Sequence, residues 1–391
     1  MKSSNNYGWR YDKKGYEIPK EIKFCKRCVM SNQRPRITFN EKGICSACQF
    51  TDYKNNKVDW KKRKIELEKI CDQYRKKDGS FDVIVPSSGG KDSGFVGHYL
   101  KNELGMNPLT VTWSPFEFTQ IGFENFQNHI KIGNLANLLC TPPGDIHRKL
   151  SILGMKMLGD SFIPFLYGQH NVPFLISEKF DIQLIMYGEN GEVEYGGTKD
   201  TEDQPEQRLD GKKHDNIFFS GISLDEMVKS GIKEEDLYYY KKPLLKKNSK
   251  QPKCLFMSYF HKWNPQENYY YCVENTGFKP NNIRSEGTYT RFASLDDKLD
   301  GFHYYLMFIK FGIGRATSDA AHEVREGHIT REEGVELVKK YDGEFPEKNF
   351  QLFLDYLQMS QSEFHEIIDS WRAKHVWEKK GNSWKLKSQV E

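Results

Sequence analysis

An apolar stretch, Phe81-Asp-Val-Ile-Val-Pro86, stops in Ser87-Ser-Gly-Gly-Lys-Asp-Ser93 and runs on into a helical pattern. A strand that ends in small residues and turns straight into a helix exposes backbone N–H groups at a helix N-terminus, where the dipole favours negative charge. The occupant this chemistry selects is an anion, above all a nucleotide phosphate. The spacing is not Gly-x-x-x-x-Gly-Lys-Ser/Thr, so it is not a Walker A loop. Ser88, Gly89, Gly90 and Ser93 are the expected phosphate ligands, with Pro86, Ser87 and Lys91 beside them. Lys91 either adds charge or points outward. Asp92 beside a phosphate calls for a bridging Mg2+, or else serves as a helix cap.

A second chemistry-bearing pattern is Cys25-Lys-Arg-Cys28 followed, after sixteen residues, by Cys45-Ser-Ala-Cys48. Each CxxC turn brings two thiolates to one side, and two such turns complete a tetrahedral Zn2+ site with no open position, hence a structural one. Cys71, Cys140, Cys254 and Cys272 stand alone and are read as ordinary buried residues.

Two further polar clusters follow. Glu286-Gly-Thr-Tyr-Thr290 and Asp296-Asp-Lys298 form one, and Lys310-Phe-Gly-Ile-Gly-Arg-Ala-Thr-Ser-Asp319 the other. Two glycines between Lys310 and Arg315 allow close backbone approach to a ligand with cations at hand, which suits pyrophosphate or a sugar nucleotide. A helix–helix turn with solvated charges is the equal alternative.

The elements that must position these residues alternate. Strands are expected over 82–86, 109–113, 135–140 and 182–187, and helices over 94–104, 120–131, 146–158 and 173–179, with 256–260 returning to the sheet. Repeated β–α–β units imply a doubly wound, Rossmann-like parallel sheet. Ligands of such sheets lie beyond the strand carboxyl ends, which puts the Ser88–Ser93 loop, Thr112 and Trp113, and Gly188 and Glu189 on one rim. A helix over 58–76 links the cysteine unit to this sheet. Residues 189–250 are irregular. After about 285 the pattern is mainly helical, over 299–311, 318–326, 330–340 and 351–358, with a capping-box pattern at Thr330-Arg-Glu-Glu333. The expected division is a polar arm over 1–21, a zinc ribbon built on the two CxxC turns over 22–52, the α/β domain over 53–280 and a mainly helical region over 281–391.

The 391 residues carry 58 basic and 54 acidic side chains, a net charge of +4 that allows an anionic small substrate and makes nucleic acid an unlikely partner. No apolar run reaches the ~18 residues a membrane span needs, and the start shows no signal-peptide pattern. A cytoplasmic protein without membrane attachment is expected.

Ser88-Gly-Gly-Lys-Asp-Ser93 resembles the SGGxDS loop of the PP-loop ATP pyrophosphatases. Cys25-x-x-Cys-Val-Met, Arg34-Pro, Gly43-x-Cys-x-x-Cys48, Glu286-Gly-Thr-Tyr and the Lys310–Asp319 block, in that order, resemble the N-acetyl sugar amidotransferase family of bacterial surface-polysaccharide and flagellin-glycan synthesis. The resemblance runs from about Cys25 to about Asp342. It implies an AMP-forming amidotransferase, a carbon–nitrogen ligase that converts a sugar acetamido group to acetamidino. The amide oxygen attacks the ATP α-phosphate, giving an O-adenylated imidate and pyrophosphate; ammonia then adds and AMP leaves. Asp92, Lys310 and Arg315 are the residues expected at the reacting centre, and Glu286, Thr288, Tyr289, Arg291 and Asp319 those expected against the sugar. ATP, Mg2+ and structural Zn2+ are the expected cofactors. The substrate is a sugar or sugar nucleotide: a nonulosonic acid such as pseudaminic or legionaminic acid, activated with CMP, or a UDP-linked lipopolysaccharide sugar. Arg284, Arg291 and Arg315 are the candidates for a carboxylate on it.

An N-terminal-nucleophile glutaminase needs Cys after the initiator Met, and position 2 is Lys. The resemblance therefore implies ammonia from a separate glutaminase subunit, in some relatives through a cyclase-like barrel, or free ammonia. Two other readings stay open: a tRNA-thiolating PP-loop enzyme, which would need a cysteine pair such as Cys140 and Cys254, and a non-catalytic nucleotide-binding scaffold.

Overall fold

A computed structural model describes residues 19–197, 204–206, 222, 224–240, 251–381 and 383–391. Residues 1–18 of the polar arm, and much of 189–250, lie outside the described residues.

In chain order the elements are α1 (Ser46–Asn56), α2 (Trp60–Tyr74), β1 (Val83–Pro86), α3 (Lys91–Asn102), β2 (Pro108–Trp113), α4 (Gln120–Lys131), β3 (Ala136–Cys140), α5 (Gly144–Leu158), α6 (Ile163–Phe180) and β4 (Leu184–Tyr187). There follow α7 (Gly191–Glu194), α8 (Leu224–Lys229), β5 (Lys253–Phe256), α9 (Met257–Phe260), α10 (Pro265–Asn275), α11 (Asp300–Phe311), α12 (Arg315–Glu326), α13 (Arg331–Tyr341), α14 (Phe350–Leu357), α15 (Gln361–Ser370), β6 (Trp377–Lys380) and β7 (Ser383–Leu386).

Strands β1–β5 form one parallel sheet in the order β3-β2-β1-β4-β5. Side chains alternate across its two covered faces. Val83 and Val85 face a core with α2, α3 and α10, whereas Ile84, Leu109 and Val111 face one with α5 and α6. Apolar runs without polar alternation are what a sheet buried on both sides requires. The strand order reverses between β1 and β4, and the crevice beyond those two carboxyl ends is where such sheets take ligands.

Several boundaries differ from the sequence expectation, each for a physical reason. Helix α3 starts at Lys91 rather than 94 because Gly90, extended at φ −72° and ψ 167°, serves as its N-cap. Helix α6 covers 163–180 instead of 173–179, running straight through Pro173. Proline lacks one donor and is usually a break; here burial of both flanks outweighs the lost bond. The sheet strand is 253–256, and 257–260 is a helical turn. Helix α12 begins at Arg315, not 318. The capping box at Thr330 forms as expected, with both reciprocal bonds present. Helix α15 and the β6–β7 hairpin were not anticipated.

The cysteine unit does not stand apart. Its core packs on Phe311, Ile313, Ala320, Ala321 and Val335 of the C-terminal region. Beneath it Lys54, 1% exposed, donates to Glu194 (3.2 Å), Glu326 (3.0 Å) and the Trp263 carbonyl (3.1 Å). Removing one partner of a buried ion network leaves uncompensated charge. Lys54→Met should therefore cost about 3–5 kcal/mol in denaturant unfolding at neutral pH. The deficit should narrow in acid, where protonation of Glu194, whose pKa burial pushes up, removes part of the stranded charge. Equal stability of variant and parent at neutral pH would refute the role.

Candidate functional site

The loop after β1 is shaped by Gly89, at φ +85°. A Cβ there would lie 2.6 Å from the Phe126 Cα, so only glycine lets the loop pass α4. The Ser87 hydroxyl donates to the Ser93 hydroxyl at 2.9 Å and sits 3.3 Å from His129 Nε2. Burial pushes the His129 pKa down to about 4, so this ring is neutral near pH 7. The amides of Gly89 and Gly90 donate to the hydroxyls of Ser87 (3.2 Å) and Ser88 (3.3 Å). A phosphate oxygen, being charged, is a stronger acceptor for these donors than a hydroxyl. Lys91 pairs with Asp92, whose other oxygen accepts from Asn268 at 3.1 Å.

This loop opens on a cavity of about 770 Å3. Of the residues expected at the site, Pro86, Ser87, Ser88, Gly90, Lys91, Asp92, Ser93, Trp113, Gly188, Glu189 and Arg315 line it. Gly89 does not line it; within the loop it passes against the Phe126 backbone. Thr112 is fully buried, its hydroxyl accepting from Asn137 at 2.8 Å between β2 and β3. Lys310 points elsewhere: its Nζ donates to the Leu158 carbonyl at 3.0 Å, at the C-terminus of α5.

The two glycines of the Lys310–Asp319 block meet their own chain: Gly312 ends α11 in a left-handed cap against Val376 and Leu386, and Gly314 meets a carboxylate. Asp342 accepts from the Gly314 amide (2.8 Å) and the Thr317 amide (3.0 Å) and from the Thr317 hydroxyl, capping α12. Burial pushes the Asp342 pKa up to about 6, against these donors. This turn projects Arg315 into the cavity, where it pairs with Asp319 at 2.9 Å and with the Tyr304 hydroxyl. Thr288 donates to Asp319 at 2.7 Å, so Thr288 and Asp319 orient Arg315 from behind. Tyr289 is packed against the cysteine unit, Glu286 accepts from the Lys348 amide at 3.2 Å, and Arg291 is exposed. Arg284 is bound to Glu344 by two bonds of 2.6 Å.

Three groups of cavity residues were given no site role by the sequence reading, although it named the Asp296-Asp-Lys298 cluster and Arg34. The first is acidic: Asp296, Asp297 and Asp300 line the cavity, with Asp296 against Ser88 and Gly90 of the loop. Burial pushes Asp296 up to about 6 and Asp297 up to about 7. Burial, then the neighbouring Asp92, also pushes Glu189 up to about 7. Carboxyls so crowded gain from a cation. Among the described residues these oxygens do not converge into a preformed cage, so the set would suit a hydrated cation such as Mg2+.

The second group is the dyad of His303 on α11 with Asp160, whose oxygens lie 3.0–3.1 Å from His303 Nδ1. Burial opposes both charges, but each group outweighs it for the other: Asp160 is held below its ordinary range and His303 above. The third group, Arg34 and Arg36, comes from the cysteine unit and closes the cavity from the N-terminal side. A polar ring in the apolar Asp300–Phe311 helix was a local signal for His303; nothing local distinguished Arg36.

The four cysteines are buried, with their Sγ atoms within 4.8 Å of one another. Cys25–Cys48 and Cys28–Cys45 are 3.8 and 3.7 Å apart. Zn–S bonds of about 2.3 Å in a tetrahedron place the sulfurs about 3.8 Å apart, so the set fits Zn2+. Amides of Cys28 and Cys45 point at Cys25 Sγ (3.5 and 3.3 Å), and the buried guanidinium of Arg325 feels the charge of Cys28, Cys48 and Cys45. Both offset the excess charge of four thiolates on one dication.

Among the described residues no helix is long and apolar enough to cross a membrane. The chain is structurally similar to NMN synthetase from Francisella tularensis, with a TM-score of 0.24 and 10% identity over 49% of this chain and 100% of that one. A stretch of 109 residues is 31% identical to the uncharacterized protein MJ1599 of Methanocaldococcus jannaschii, covering 27% of this chain and 38% of that protein's length. Residues 286–391, which carry the Asp296–Arg315 wall, match the family model described as LPS biosynthesis protein WbpG-like, C-terminal domain.

Proposed function

We propose that this protein is an ATP-dependent amidotransferase of lipopolysaccharide or related surface-glycan synthesis, converting a sugar acetamido group to acetamidino. The observation that carries the reading is that the Ser88–Ser93 loop and the Asp296–Arg315 wall, the latter within the region similar to an LPS biosynthesis domain, share one cavity. Its volume falls in the range of small-molecule sites, about 300–1,000 Å3, toward the roomy end. ATP and an acceptor sugar can therefore face each other without leaving it.

In this reading the loop amides with Ser88 and Ser93 hold the phosphates. Asp92, Glu189 and Asp296 would hold Mg2+, which when bound would supply positive charge against the phosphates. Arg315 faces the charge that develops as pyrophosphate leaves. Each ammonia that adds must lose a proton before AMP departs. His303 takes this proton at Nε2, with Asp160 holding Nδ1–H and stabilising the cation formed.

The sign of the pH dependence follows. Raising pH frees the His303 lone pair, so turnover should climb through a pKa above the ordinary imidazole value and then level off. Asp160→Asn removes the carboxylate that raises it, so that limb should move to lower pH. His303→Gln should lose the limb and about 10²–10⁴-fold in rate, with Mg·ATP affinity unchanged. A His303→Gln enzyme keeping the same limb would exclude this role.

A thiolating enzyme is disfavoured by one observation. Cys140 and Cys254 sit on β3 and β5, the two edges of the five-stranded sheet. Four strand spacings separate them by about 19 Å, too far to share a persulfide. Pyrophosphate release from ATP that depends on an N-acetylated sugar tests the reading; release that depends instead on tRNA overturns it.

A further inference from the structure

The segment Arg34-Pro-Arg36 of the cysteine unit reaches into the cavity with its two arginines in unequal circumstances. Arg36 adopts φ +66°, a left-handed conformation that costs a non-glycine residue about 1–2 kcal/mol. It is fixed there by a two-pronged pairing with Glu192, whose Nε–Oε2 arm is 2.9 Å long. Glu192 belongs to the turn after β4, and its own amide donates to the Asn190 side chain at 3.2 Å. The cysteine unit is thus locked to the sheet at the rim of the cavity.

That lock leaves Arg34 beside it without a carboxylate of its own. Lys91, Arg36 and Arg315, the other cavity cations, pair with Asp92, Glu192 and Asp319. Arg34 has no ion pair or side-chain hydrogen bond among the described residues, and its Nε is buried without a partner. Its guanidinium lies 5.7 Å over the Tyr195 ring. The Tyr195 hydroxyl donates to Glu189 at 3.5 Å, so Arg34 stacks on an anchored ring and feels Glu192 only at a distance, without a direct pair. Burial pulls its pKa down to about 10, which leaves it charged near pH 7. A desolvated guanidinium with open donors, held at a strained lock, is suited to two-pronged recognition of a planar oxyanion. Strain of this kind concentrates where a ligand is clamped.

We propose that Arg34 is an oxyanion subsite of the cavity, filled by a carboxylate or phosphate of a ligand, and that the cysteine unit serves to deliver it. Two sources carry that chemistry: the β,γ-phosphates of ATP, or an acidic group on the acceptor. The second source rests on the amidotransferase reading; the first does not.

Direct binding separates these without requiring turnover. Mg·ATP, AMP, N-acetylneuraminate and neutral N-acetylglucosamine would be titrated calorimetrically into the full chain, its Arg34→Lys variant and its Arg34→Gln variant, the two sugars in the presence of AMP. Circular dichroism and zinc content would establish that each variant is folded. Loss of ten-fold or more in Mg·ATP affinity in Arg34→Gln, with AMP unchanged and partial recovery in Arg34→Lys, assigns the subsite to the β,γ-phosphates. Unchanged nucleotide affinities, with N-acetylneuraminate binding lost and N-acetylglucosamine unaffected, assign it to the acceptor. Folded Arg34→Gln protein that binds all four probes as the parent does overturns the proposal. A parent that binds Mg·ATP through Arg34 yet never turns over with any acetamido sugar leaves the subsite standing and refutes the amidotransferase reading alone.

Discussion

Gly89→Ala is expected to abolish Mg·ATP binding and to lower stability by about 2–5 kcal/mol. Two costs add. The residue sits at φ +85°, where an L side chain is strained, and its Cβ would come within 2.6 Å of the Phe126 Cα and 2.9 Å of the Phe126 amide nitrogen. Both contacts are to backbone, so no side-chain rotation relieves them. Relief requires the loop to lift off α4, which takes the amides of Gly89 and Gly90 away from the Ser87 and Ser88 hydroxyls and from the position of a bound phosphate. Gly79→Ala is the control: it has φ +81° with nothing within 4 Å of the new Cβ. It should show the backbone strain alone, about 1 kcal/mol, with nucleotide affinity intact. Calorimetric titration with Mg·ATP and a thermal melt of each variant separate the two costs. Parental Mg·ATP affinity in Gly89→Ala would show that the loop is not where phosphate binds.

Loss of the metal is the other large effect expected. The four cysteines are 0% exposed and occupy the centre of the cluster that joins the N-terminal unit to α12 and α13. A structural zinc site contributes about 10–16 kcal/mol of apparent binding free energy, more than this small unit can supply from apolar burial. The purified protein should contain one zinc per chain. Cys45→Ser, or strong chelation, should release it and lower the melting temperature. Helical circular dichroism should mostly persist, because the two cores flanking the sheet contain none of these cysteines. Acceptor-dependent pyrophosphate release should vanish, since Arg34 and Arg36 leave the cavity with the unit that carries them. A metal-free chain with an unchanged melt would contradict the account.

The sheet and its loop were legible because their determinants are local. Val83, Ile84 and Val85 form a β-branched run, and the Ser/Gly turn that follows has few conformations open to it. The metal site was legible from spacing alone. What escaped depends on partners distant in sequence. The glycines at 312 and 314 do permit a close approach, but what approaches is this chain: Val376 and Leu386 at Gly312, and Asp342, twenty-eight residues beyond, at Gly314. Lys310, read as facing a ligand, caps the carbonyl of Leu158. Pro173 reads as a helix start, yet tertiary burial carries α6 through it. The unit carrying Arg34 is fixed at the cavity by partners far along the chain, among them Glu192, which meets Arg36 from 156 positions away. Such pairings cannot be read from periodicity, which reports a segment's own face and not what covers it.

The central claim is that ATP cleavage at this loop is spent on a sugar acetamido group. The most direct test incubates the protein with ATP, Mg2+ and ammonium across a panel of N-acetylated acidic sugars and sugar nucleotides, following pyrophosphate, AMP and product mass together. The account predicts pyrophosphate, AMP and product in equal amounts with one acceptor, the product about one mass unit lighter as oxygen is replaced by NH. Pyrophosphate released equally without any acceptor, or released only with tRNA, would contradict it.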